Sequence, residues 1–125
     1  SPTVLQKPLR LYSDAVAGFE MELRQAPKDT QTLALLSDTR MELAQLEGLL
    51  GHDPGPRARG GVACIQEWVR LSPTDPEAKK ALAEAQNWAQ RIMAHPRIAI
   101  GSPIFPDDYA RWYGAPEYYE GFIPE

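Results

Sequence analysis

The sequence predicts an all-α protein of four helices in two antiparallel hairpins, followed by an irregular, aromatic C-terminal tail. Three observations predict this. Apolar residues recur at i, i+3, i+4 and i+7 in four separate segments, the signature of helix faces and not of strands. The 12 prolines gather between those segments or near the chain ends, where they act as punctuation. The stretch "LSPTDPEAKKALAEA", a helix end followed by a helix start, has a counterpart earlier in the chain.

The first helical stripe is Tyr12, Ala15, Val16, Phe19, Leu23 and Ala26, and the second is Leu33, Leu36, Leu43, Leu46 and Leu50. Together they make a hairpin over residues 9–50. Residues 51–61 are dense in Gly, Pro and Arg and read as a linker. Val62, Ile65 and Val69 open the second hairpin, residues 62–95. Ala78, Ala81, Leu82, Ala85, Trp88, Ala89 and Ile92 form its longer stripe. Residues 1–103 thus form one helical domain, and 104–125 stand apart as the tail.

Residues 17–46 align without gaps with residues 63–92, at an offset of 46. Ala17/Ala63, Arg24/Arg70, Pro27/Pro73, Asp29/Asp75 and Leu36/Leu82 are identical. Two of these identities lie where a helical hairpin needs them. Pro27 and Pro73 stop a helix, because the residue before proline avoids the helical region. Asp29 in the first copy, and Thr74 or Asp75 in the second, supply a side-chain cap for the next helix. Pro76 is tolerated in a first turn, and Thr74-x-x-Glu77 fits a capping box.

On these residues the chain resembles the tetratricopeptide repeat, a helical hairpin with a small and a bulky residue at fixed offsets before a proline. Counting back from Pro27, Ala15 and Phe19 fall on those positions; counting back from Pro73, Gly61 and Ile65 do. Leu36-Ser37 and Leu82-Ala83 stand in place of the family's Leu-Gly pair. The chain departs from the pattern in having Leu33 and Lys79 where Trp is preferred, and Arg40 and Gln86 where Tyr is. Its spacing is 46, against about 34 in the family. A plain four-helix bundle with proline turns is the competing architecture. The resemblance implies a concave face that receives peptides or other subunits.

The tail, "IFPDDYARWYGAPEYYEGFIPE", holds seven of the chain's eleven aromatic residues, five acids and one base, Arg111. Large rings left in water are costly and adhesive, so they should lie against something. The tail wraps its own helices, or Tyr109, Trp112, Tyr113, Tyr118, Tyr119 and Phe122 are anchors for a partner, or both at once with some rings facing in and others out; a disordered end is the third reading.

Composition excludes several classes of function. An apolar share of 43% fits a soluble globular domain. No apolar run approaches the ~20 residues of a membrane span, and the first residues lack a signal-peptide pattern. A net charge of -4 with scattered bases argues against nucleic acid. The single cysteine, Cys64, excludes an internal disulfide and a cysteine-rich zinc site; it is compatible with a reducing compartment, and the cytoplasm is the expected location. Cys64 reads as a core residue, since activating a thiol takes a basic neighbour that the local sequence does not show. His52 and His95 lie in or beside loops, in no metal-binding spacing, and Asp107-Asp108 reads as a helix cap. Glu77–Lys80 and the Arg40/Glu42 neighbourhood read as solvated helix surface. Trp88 reads as core, and Trp68 lies off its helix's stripe.

The segment Gly55–Ala63 is the one site-like signal outside the tail. Arg57 and Arg59 lead into Gly60-Gly61, which reads as a helix N-terminus able to take an acidic group. A flexible linker is the simpler reading of the same residues. The sequence therefore predicts a non-catalytic protein-interaction module without cofactor or metal. Its predicted contacts are the six tail aromatics, with Arg57 and Arg59 behind them. A structural subunit anchored by the tail, or a small enzyme or ligand-binding domain, are the alternatives.

Overall fold

A computed structural model describes residues 5–97. Among them are four α-helices and no strand: α1 (Gln6–Gln25), α2 (Thr30–Leu49), α3 (Gly55–Leu71) and α4 (Pro76–Ala94). The tail, 104–125, lies outside the described residues, as does the question of where its aromatic rings rest.

The two joints are built from local chemistry. Asp29 caps α2 by accepting from the Thr32 backbone N–H at 3.1 Å and from the Thr32 hydroxyl at 2.9 Å. In the second joint the cap is Asp75, whose carboxylate accepts from the Glu77 N–H at 2.9 Å, and Pro76 occupies the first turn of α4. Asp75 fills the role for which Thr74 is the other candidate in the sequence. α2 ends by a different route. Gly51 adopts φ +88°, the left-handed region that glycine enters without strain. The His52 N–H then donates to Glu47 O at 2.8 Å and the Gly51 N–H to Gly48 O at 3.0 Å, the paired bonds of a Schellman turn.

The third helix begins at Gly55, not at residue 62, so most of the segment read as a linker is helical. Pro56 falls in its first turn, where the missing N–H has no helical partner. The Asp53 carboxylate accepts from the Gly55 N–H at 2.9 Å. Gly60 and Gly61 are interior to the helix, and Gly61 serves packing. A Cβ on Gly61 would stand 3.0 Å from Met41 Cε and 3.1 Å from Ser37 O. Ser37 donates its hydroxyl to Gly61 O at 2.7 Å across the same crossing.

α2 packs against α1, α3 and α4 and is buried on every face. The sequence pattern predicts one leucine stripe along it. The structure instead buries Asp38, Thr39, Glu42 and Gln45 beside Leu36, Met41, Leu43 and Leu46. Arg40, read as solvated surface, reaches both neighbours: it donates to Gly60 O of α3 at 3.2 Å and to Glu20 of α1 at 3.1 Å. Two apolar clusters flank α2. Val16, Leu33, Leu36, Leu43 and Cys64 form one, with Phe19 and Leu23 of α1 against it. Met41, Ala44, Ile65, Trp88 and Ile92 belong to the other. Trp68 touches both.

Gly61→Val should destabilise the chain by about 1–3 kcal/mol, because the added methyls enter an occupied crossing. At Gly18 a Cβ would meet nothing within 4 Å, so Gly18→Ala should stabilise by up to about 1 kcal/mol. Urea midpoints of the two variants, moving in opposite directions from the parent, check both. The caps predict an acid dependence. The hydrogen bond from the Thr32 N–H, and then that from its hydroxyl, hold the Asp29 carboxyl below its usual range. A lowered folded pKa contributes stability that is full above the unfolded value and lost as pH falls through the folded one. Asp29→Asn keeps an acceptor but cannot titrate, so its stability should fall less steeply than the parent's below about pH 4.

Candidate functional site

The N-terminal half of α2, the C-terminal half of α3 and one face of α4 enclose a cleft of about 250 Å³. Its wall on α4 is made by residues 77, 80, 81, 84, 85 and 88, which recur at three and four and so share one helix face. The Asp75 cap starts α4 so that Glu77 falls in its first turn. Trp68 is placed by packing against both apolar clusters, and Trp88 by the cluster beneath α4. The cleft is thus walled by two indoles and by the small side chains Ala34, Ala81 and Ala85.

Its polar groups are unequal in sign. Asp38, Glu77 and Glu84 bring three carboxyl groups, against the single amine of Lys80. Asp38 is buried in the wall, while Glu77, Lys80 and Glu84 are exposed at the rim. Trp88 is 5% exposed, and its indole N–H has no acceptor among the described residues. The Ser37 hydroxyl lines the cleft with its proton engaged on Gly61 O. No histidine or cysteine is among the described lining residues.

The two arginines of the candidate list have different surroundings. Arg57 is tied back to α2, its Nε 3.0 Å from Glu47 Oε1. Arg59 is exposed and lines a different concavity, with Val62, Gln86 and Met93. The helix end they adjoin carries the chain's own Asp53 carboxylate. His52 and His95 are both exposed. Among the described residues no group of three or more His, Cys, Asp or Glu is placed to hold a metal, and no helix is long and apolar enough to cross a membrane. Tyr109, Trp112, Tyr113, Tyr118, Tyr119 and Phe122 lie outside the described residues.

Sequence reading takes Glu77–Lys80 as solvated surface and Trp88 as core, and Glu77, Lys79 and Lys80 are exposed and Trp88 is buried in the core; it does not reach the cleft, which three helices form together. The available signal is the shared face of Glu77, Ala81, Glu84 and Trp88, together with a Trp68 that fits no stripe. It also misses the basic neighbour of Cys64. Arg40, 24 residues away, donates to Cys64 Sγ at 3.2 Å. Burial nevertheless dominates and pushes the thiol up, while Arg40 pulls it down by less. The raised folded pKa keeps the neutral thiol; the stability it contributes is full below the unfolded thiol value and lost as pH rises through the folded one. Iodoacetamide at about pH 8 should therefore modify Cys64 at least about tenfold more slowly in the folded chain than in urea. Equal rates in the two states would show that the thiol is open to solvent. Compared with family models, with curated proteins and with solved structures, the chain has no match.

Proposed function

We propose that this chain is a non-catalytic protein-interaction module: two antiparallel helical hairpins, similar to tetratricopeptide hairpins, that take a segment of a partner polypeptide into the α2–α3–α4 cleft. The observation that carries the reading is the cleft itself, with two indole walls and a charged rim. Such a mixture of aromatic surface and oriented polar groups is what peptide anchors bind. The antiparallel sense is supported by the pairings of Glu22 with Thr32 and of Glu20 with Arg40, in which positions later on α2 meet positions earlier on α1. The excess of acid over base, in the whole chain and at the cleft, supports a protein partner over nucleic acid. The tail aromatics, from Tyr109 to Phe122, are proposed as a second set of anchors on the same partner.

A photo-crosslinking residue tests this in the full chain. With Lys80→benzoylphenylalanine, irradiation in the native extract should join the chain to a polypeptide that mass spectrometry identifies. Ala81→Trp, which fills the cleft, should abolish the adduct. The same probe at the exposed Arg10 of α1 should not give it. An adduct indifferent to Ala81→Trp, or turnover of a small molecule in the absence of any adduct, would sink the reading. Adduct formation unchanged by Trp112→Ala and Tyr113→Ala would remove the tail alone.

A further inference from the structure

Within the interaction reading, on which this step rests, we infer that the group entering the cleft is a cationic side chain, lysine or arginine, carried on the partner's backbone. The cleft, about 250 Å³ and open at its rim, has room for a long side chain carried on a partner's backbone.

Charge then selects among long side chains. Glu77 and Glu84 stand two turns apart on one face of α4, at the open rim, and Asp38 lies in the opposing wall on α2. The two rim carboxylates, Glu77 and Glu84, draw in positive charge and repel negative. The walls between them are Trp68 and Trp88, and the faces of indole rings attract cations more strongly than other aromatic rings do. An aliphatic stem between two indoles and a cationic head among carboxylates match a lysine or arginine along its whole length.

Lys80 stands one helical turn from both Glu77 and Glu84 and is the single amine of the lining. It is a resident cation in the acidic rim, and an incoming one takes its place. The chain's own segment 104–125, with five acids to one base, is the wrong sign to compete, save at Arg111.

The test follows the indole N–H resonances of the ¹⁵N-labelled full chain, with Trp68→Phe and Trp112→Phe variants to assign them. The probes are blocked glycine pentapeptides with a central lysine, arginine, norleucine or glutamate. Lysine and arginine peptides should move the Trp68 and Trp88 signals and bind at least about tenfold more tightly than the norleucine peptide. That preference should shrink to within about twofold in Glu77→Gln/Glu84→Gln, weaken with salt, and grow in Lys80→Met. Equal binding of the norleucine or glutamate peptide overturns the inference, as does a lysine preference that survives the double glutamine variant. So does an absence of any shift up to the peptides' solubility. If the lysine peptide binds only after Arg111→Gln, the cation belongs to the chain itself and the partner assignment falls. Crosslinking at position 80 that persists in Glu77→Gln/Glu84→Gln would defeat the cationic assignment alone. Absence of the crosslink would defeat the interaction reading beneath it.

Discussion

The close crossing of α2 and α3 at Ser37 and Gly61 is the contact from which the rest of the arrangement is set. A helix buried on all faces must be approached closely on several sides, and side-chain volume normally keeps helix axes 8–10 Å apart. Gly61 removes a Cβ at the crossing, and the Ser37 hydroxyl uses the proximity to donate to the Gly61 carbonyl. Once α3 is held there, Arg40 comes within reach of Gly60 O and Cys64 Sγ while still pairing with Glu20. One side chain thereby ties α1 and α3 to α2. The register of α3 against α2 also sets Trp68 between both apolar clusters, and so sets the mouth of the cleft.

This dependence explains why some of the fold is legible in the sequence and some is not. Asp29, Pro27, Asp75 and Pro76 act within a few residues of themselves, so their pattern predicts the two joints wherever the helices pack. The start of α3 is different. By local propensity, "GPRARGG" is a poor helix, since each interior glycine costs roughly 0.5–1 kcal/mol relative to alanine. It is helical because Gly61 lies at a crossing with Ser37 and Met41, a contact that composition does not announce. The same holds for α2. A single leucine stripe predicts one buried face, but three neighbouring helices bury Asp38 and Thr39 as well as Leu36 and Leu43.

The site is illegible for a related reason. Its walls come from three helices, and each contribution is ordinary on its own. A glutamate in a first helical turn reads as a dipole partner, a tryptophan on a stripe as core, an alanine as filler. Only the placing of α4 opposite the N-terminal half of α2 turns Glu77, Glu84 and Trp88 into facing surfaces. The Arg40–Cys64 contact hides in the same way, because a reading of Cys64 looks for a basic residue nearby in sequence and the neighbour arrives from another helix.

The openness of the cleft is itself a physical choice among available sequences. Ala34, Ala81 and Ala85 line it, on helices where leucine has nearly the same helical propensity. A leucine at position 81 would gain on the order of 25 cal/mol for each Å² of apolar surface it removed from water. Larger residues there would also cover the indoles of Trp68 and Trp88. The alanines forgo that stabilisation and leave indole surface beside carboxyl groups, with one indole N–H lacking an acceptor among the described residues. Packing alone gives no reason for this combination, since filling the space is among the commonest routes to a more stable domain. Admitting a partner's side chain, as proposed above, gives one: a slender stem suits the indoles, and a positive head suits the rim carboxylates of Glu77 and Glu84.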